Sequence, residues 1–281
     1  MDLYLFLSIL SAGLCMGGVY AMLAVPFNFQ LGQLKVTNFA YGNLLMMAMY
    51  VVFVCHDGHV PVWGMFCILL PCYFALGWFL RRYIVFTTDE NIQILLTMGL
   101  TILIENLVQM VWGSFPRSLG GIEEGMMLGD VYVSLTRFKL LCASMVILGL
   151  GYLFLQKSWY GRCIRALVQQ PAMAAVMGIN TRAVACMAFG ASFCYLAFTG
   201  YSLMQLYSVE PHTGHSFLSL CFLIAVLGGI GNLIGTVYSA FIIGVISAFI
   251  SFYVPGYHDP IIFLFFIAML LFKPSGLFGE A

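Results

Sequence analysis

Apolar runs of roughly 20 residues, the length a helix needs to cross the hydrocarbon layer of a bilayer, recur along the whole chain. Read together with helix breakers, they fall at residues 3–25, 37–55, 61–80, 91–113, 138–156, 183–205, 217–230, 233–253 and 260–272. The runs at 217–230 and 260–272 are short for a full crossing, so a broken or tilted helix is admitted at either and eight to ten crossings are expected. Only 8% of the 281 residues are charged and 62% are hydrophobic, whereas soluble domains carry about 25% charged residues. Too little charge is present to coat a water-facing surface. The expected fold is all-α and polytopic, one membrane domain over residues 1–281 with no soluble domain attached. The runs are too long and too uniformly apolar for barrel strands, which alternate, so no sheet is expected.

The 11 basic and 11 acidic residues cancel, which argues against a nucleic-acid surface or a polybasic lipid clamp. The first run, from Leu3 to Val25, follows no Lys or Arg and precedes no small-x-small cleavage site, so it reads as a retained span. Seven of the nine cysteines, Cys15, Cys67, Cys72, Cys142, Cys186, Cys194 and Cys221, lie in apolar runs without a Cys-x-x-Cys, and read as reduced packing residues.

Lys and Arg are retained on the cytoplasmic side of a membrane. Connections near 26–36, 81–90 and 157–182 facing inward hold Lys35, Arg81, Arg82, Lys157, Arg162, Arg165 and Arg182, with Lys273 at a cytoplasmic C-terminus. The opposite side receives Asp57, Glu123, Glu124, Asp130, Glu210 and Asp259, and the N-terminus with Asp2; Arg117, Arg137 and Lys139 run against the trend. The segment 157–182 is too polar to cross and too apolar to be disordered. Ala166, Leu167, Met173, Ala174, Ala175 and Met177, bracketed by Gly161 and Gly178, suit one or two short helices, with Pro171 allowed in a first turn. Small and apolar side chains on such a loop suit a docking surface.

The fourth run carries Gln93, Thr97, Thr101, Glu105 and Gln109 at a strict spacing of four. Such positions drift by about 40° per step around a helix, forming a slow spiral ridge, part of which faces protein or water. A carboxylate at the depth of Glu105 costs on the order of 3 kcal/mol and points to function. A hydrogen-bonded glutamate tying two helices together is the other reading. A second polar group, Asn28, Gln30, Gln33, Thr37, Asn38 and Tyr41, begins where Pro26 is expected to end the first span. It reads as an irregular segment beside a pathway or as an ordinary inward turn. Gly13 with Gly17, Gly231 with Gly235, and the group Gly228, Gly229 and Gly231 stand at distances that let helices approach closely. Cys55, His56, Asp57 and His59, and likewise Glu210, His212 and His215, fall in expected outer loops without metal-ligand spacing, so no metal site is expected and these residues read as solvated. No catalytic motif and no Walker loop is present, so the chain has no ATPase site of its own.

Several elements coincide with a family pattern. The run Gly161, Arg162, Cys163, Ile164, Arg165, Ala166, continuing through Ala174 and Ala175 to Gly178, Ile179 and Asn180, resembles the coupling segment of branched-chain amino acid ABC permeases. Asn38-Phe39-Ala40-Tyr41-Gly42 and Ile104-Glu105-Asn106-Leu107 are similar to elements of that family's early and fourth helices. Residues 226–235 and 271–279 resemble its last third, and the length favours a LivH-type over a LivM-type subunit.

The resemblance implies the ABC importer permease fold and a transport subunit in a bacterial inner membrane. Its implied partners are a homologous LivM-type permease, two ATPase subunits that bind the ATP, and an extracytoplasmic substrate-binding protein. It places ATPase coupling on 161–180 and the translocation pathway at Asn38, Tyr41, Thr97, Thr101, Glu105, Asn106 and Gln109. Leucine, isoleucine and valine are the implied substrates. Urea or short amides are the alternative within the family, and an ion-coupled secondary transporter using Glu105 is the alternative outside it. Tyr41, Ala172, Ser239 and Ala240 depart from the family's usual residues.

Overall fold

A computed structural model of the chain describes residues 3–85, 89–120, 125–128, 131–273 and 276–278. Asp2, Glu123, Glu124, Asp130, Pro274, Ser275 and Gly279, which carry part of the charge and C-terminal readings above, lie outside the described residues.

Every expected run is a helix: α1 Leu3–Asn28, α2 Tyr41–Asp57, α3 Val62–Phe79, α4 Glu90–Trp112, α5 Leu135–Lys157, α8 Thr181–Met204, α9 Thr213–Gly228, α10 Leu233–Tyr253 and α11 His258–Phe272. The 157–182 segment supplies two short helices, α6 Trp159–Gln169 and α7 Pro171–Val176. Among the described residues, seven helices are long and apolar enough to cross a membrane, and α2 and α9, of 17 and 16 residues, are shorter. The protein is a multi-pass membrane protein.

Two expectations need correction. Pro26 does not end the first span, because α1 runs on to Asn28 and widens into a π-helical turn, Phe29–Gln33. The wider turn gives the backbone new partners beyond the proline, with Leu34 N bonded to Phe29 O at 3.1 Å and Val36 N to Gln30 O at 2.9 Å. A small sheet is also present: β1 Gly125–Leu128 and β2 Val131–Ser134 pair antiparallel, Met126 opposite Val133. Val131, Tyr132 and Val133 are strand formers, and the strands are far shorter than a crossing requires.

The chain divides into two compact units. The first comprises residues 1–28, 120–146 and 219–281. Here α1 lies against α10 at glycine contacts: a Cβ on Gly13 would stand 2.7 Å from Val245 Cα, and one on Gly17 2.9 Å from Phe241 Cα. Gly228 approaches Thr236 as closely, with its hypothetical Cβ 2.6 Å from Thr236 Cα. Gly231 is not on one helix with Gly235, because α10 begins at Leu233; it stands in the preceding turn with φ of 88°. The buried Asn28 side chain holds that turn, donating to Gly229 O at 3.0 Å and Thr236 Oγ1 at 2.5 Å and accepting from Gly231 N at 2.9 Å. The C-terminal segment docks on the same place, through Leu277 N to Leu227 O at 2.7 Å and Asn232 Nδ2 to Phe278 O at 2.9 Å. At the other end of α10, Ser247 Oγ meets His258 Nε2 at 2.7 Å and His258 Nδ1 meets Asp259 Oδ1 at 2.8 Å. Although the residue types are those of a hydrolase triad, Ser247 is buried, and the line ties α10 to the start of α11.

The second unit comprises residues 29–119 and 147–218. Its centre is α2, whose residues from Tyr41 to Met46 are all buried. Around it stand α3, α4 and α8. Tyr73 on α3 donates to Leu44 O at 3.1 Å, and α8 approaches closely enough that a Cβ on Gly200 would collide with Ala48. All nine cysteines of the chain are free.

Candidate functional site

The polar ridge of α4 turns as its spacing requires. Gln93, Thr97 and Thr101 are buried, Glu105 is half-buried, and Asn106 and Gln109 are exposed. A drift of about 40° per step carries the ridge through about 160° from Gln93 to Gln109, from the core of this unit to its surface.

The buried half of the ridge serves the irregular segment before α2. Gln93 Oε1 accepts from Thr37 N at 3.1 Å, Thr97 Oγ1 from Phe39 N at 3.2 Å, and Thr101 O from Asn43 Nδ2 at 2.9 Å. The first two steps satisfy backbone amides that have left their helix, which a low-dielectric interior demands, and the third takes up a side-chain amide near the start of α2. Asn38 completes the set by donating to Gln30 Oε1 at 3.2 Å, while Gln30 Nε2 donates to Ser192 Oγ on α8 at 2.8 Å. Asn38, Tyr41, Thr97 and Thr101 are all buried inside the unit.

At the turning point stands Glu105, the sixteenth residue of the 23 in α4. One carboxylate oxygen meets His212 Nδ1 at 2.5 Å and the other meets His215 Nε2 at 3.0 Å. The sequence alone places both histidines in a solvated loop. Instead, α9 begins at Thr213, four residues before the apolar run, and the chain comes back beside α4. Glu210 and Thr213 set this start: Thr213 Oγ1 accepts from Glu210 N at 2.9 Å, and Thr213 N donates to Glu210 O at 3.1 Å. Gly214 then packs on Gly42 and Asn43, where a side chain on either glycine would collide with the other segment. The Glu105 side chain is 17% exposed, against 72% for His212 and 55% for His215. Each carboxylate oxygen faces its own imidazole, and among the described residues no three such groups are arranged to hold a metal ion. Beyond Glu105, Asn106 Nδ2 bonds back to Ile102 O at 2.7 Å and Gln109 Nε2 reaches Ser114 Oγ at 3.1 Å.

The second cluster is α6 and α7. Ser158 caps α6 by accepting from Gly161 N at 2.8 Å, and Gly161 lies so near the Phe154 and Leu155 carbonyls that any side chain there would collide. Pro171 opens α7 at its first position. The helix closes in a Schellman turn: Gly178, at φ of 81°, donates to Ala175 O at 3.0 Å, and Ile179 N donates to Ala174 O at 3.1 Å. Asn180 Oδ1 then accepts from Ala183 N at 3.1 Å to start α8. Ala174 is buried and Ala166 and Ile179 are half-buried, whereas Arg162, Arg165, Ala175, Gly178 and Asn180 are exposed. Met173, Val176 and Met177 present an apolar surface outward, with Val176 83% exposed.

Comparison with known proteins places these features in context. The family described as branched-chain amino acid transport system / permease component matches residues 9–272. The high-affinity branched-chain amino acid transport system permease protein LivH of Escherichia coli K12 is 28% identical, over 98% of this chain and 96% of its own. BraD of Pseudomonas aeruginosa, named for the same kind of system, is 27% identical over 99% and 97%. A probable LivH of Methanocaldococcus jannaschii is 24% identical over 96% and 92%. In fold, the chain is similar to a solved structure of PsaBC from Streptococcus pneumoniae in complex with Fab, with a TM-score of 0.55 at 12% identity over 95% of this chain and 90% of that one.

Proposed function

The chain belongs to the family of branched-chain amino acid transport system permease components, and on that premise we propose that it is one half of the membrane pathway of an ATP-driven importer of leucine, isoleucine and valine. It pairs with a homologous LivM-type subunit, two ATPase subunits that supply the ATP chemistry, and an extracytoplasmic binding protein. The subunit lies in the cell membrane with the loops rich in Lys and Arg, α6, α7 and the C-terminus on the cytoplasmic side.

The observation that carries this reading is the short α6–α7 pair. A six-residue helix is too short to be stable by itself, and α7 is held by its turn at Gly178 while Met173, Val176 and Met177 point away from the chain. A rigid apolar knob of this size suits a groove on a partner, and Arg162 and Arg165 beside it supply charge for the rim. Movement in the ATPase is passed through Gly161 and Asn180 to α5 and α8. Substrate meets the exposed end of the α4 ridge, Glu105, Asn106 and Gln109, while Asn38, Tyr41, Thr97 and Thr101 hold that end in place.

The test is reconstitution of the chain with its partner permease, ATPases and binding protein in proteoliposomes. ATP-dependent uptake of radiolabelled leucine, isoleucine or valine is expected. Uptake that persists without any ATPase would overturn the reading.

A further inference from the structure

Glu105 lies seven residues from the end of α4, about 10 Å along the axis, and so within the hydrocarbon layer of about 30 Å. A half-buried carboxylate and two exposed imidazoles at that depth do not face lipid; such groups face protein or a water-filled cavity. The carboxylate sits on a long helix whose buried ridge is fastened at every step. Its two partners sit at the start of α9, with His212 ahead of the helix and 72% exposed. One member of the cluster is therefore fixed, and the exposed partner is open to a change of rotamer.

We infer that Glu105, His212 and His215 form a binding site for the zwitterionic head of an α-amino acid within the pathway. This rests on the importer reading and deepens it. Glu105 presents an anion to an α-ammonium group, and the two imidazole N–H donors face an α-carboxylate. In the resting chain each carboxylate oxygen has an imidazole nitrogen within hydrogen-bond distance, so the anion is not left bare in a low-dielectric setting. An arriving amino acid exchanges partners with them: its ammonium replaces the imidazoles at Glu105, and its carboxylate takes the donors so released. The number of unpaired charges is unchanged throughout. The apolar side chain of the substrate has no part in this recognition, so the site reads what all amino acids share and leaves the choice among them to other contacts.

The test uses the complete transporter in proteoliposomes and reads leucine uptake per ATP hydrolysed, with the stimulation of ATPase by the loaded binding protein as a second measurement. The E105Q variant keeps an acceptor oxygen for an imidazole N–H but loses the charge that meets an ammonium. Its uptake per ATP is expected to fall about tenfold or more, the effect of losing a charge-assisted hydrogen bond, while E105D restores most of it and ATPase stimulation persists in both. Should E105Q fail to assemble, the paired H212Q and H215Q substitutions, at more exposed positions, are expected to give the same loss. Uptake per ATP within about twofold of wild type in the assembled variants would overturn the site and leave the importer reading standing. No ATP-dependent uptake by the wild-type assembly would instead overturn the importer reading itself.

Discussion

Asn28 Oδ1 accepts the backbone amide of Gly231 at 2.9 Å, joining the end of α1 to the turn before α10 across 203 positions of sequence. The amide nitrogen of the same side chain faces Gly229 O, Asn232 O and Thr236 Oγ1. One carboxamide thus supplies both a donor and an acceptor to a turn whose two glycines have positive φ.

Asn28→Ala removes the donor and the acceptor that this side chain gives the turn, at about 1–3 kcal/mol for a buried group such as the Gly229 carbonyl that loses its hydrogen bond. The purified protein in detergent is expected to unfold at a clearly lower temperature than wild type. An unchanged unfolding temperature would show that this network adds nothing.

Gly178→Val places a β-branched residue at φ of 81°, where L residues pay roughly 1–2 kcal/mol. No neighbour lies within 4 Å of the added Cβ, so backbone strain is the whole effect. In the reconstituted transporter, substrate moved per ATP hydrolysed should fall while the spans stay folded, as far-ultraviolet circular dichroism would report. Coupling at the wild-type ratio counts against α7 as the docking element.

Arg162→Glu combined with Arg165→Glu reverses two exposed charges beside the apolar knob. Like-charge contact at an interface rim weakens association and chiefly slows its formation. Co-purification of the ATPase with the permease should drop, more so at low salt, because screening weakens such contacts. Equal recovery at all salt concentrations would place the ATPase contact elsewhere.

Gly17→Leu and Gly99→Ala form a contrasting pair. A side chain at Gly17 meets the Phe241 backbone at 2.9 Å, whereas nothing lies within 4 Å of a Cβ at Gly99. The first is expected to lower thermal stability by about 1–3 kcal/mol through overpacking. The second is expected to leave it unchanged or to raise it by up to about 1 kcal/mol, since alanine favours a helix. Both are read from unfolding curves in detergent.

Much of this architecture was legible from residue order, because apolar length and punctuation are local signals. All nine expected runs became helices, and a spacing of four on a helix of fixed pitch was enough to predict that the ridge from Gln93 to Gln109 would wind from one face to another. The partners of that ridge were not legible. That Thr97 would accept from Phe39, or that His212 and His215 would close on Glu105, depends on where a later segment returns in space, and two histidines near a glutamate and a glycine resemble any polar loop. The earlier start of α9 was hidden for the same reason, since Thr213, Gly214, His215 and Ser216 carry no hydropathy signal. Pro26 misled because a proline inside a helix removes one hydrogen bond without always ending the helix, and α1 here runs on to Asn28 and into the π-helical turn that follows.

The enclosure of α2 also changes what its length means. A helix that touches lipid must match the thickness of the membrane, through tilt or local deformation when it does not. For most of its 17 residues α2 touches only neighbouring protein, so hydrophobic matching does not act on it, and its ends are set by where other segments cover them. Moving the subunit between thick and thin bilayers should strain the more exposed α3 and α4 of this unit before α2.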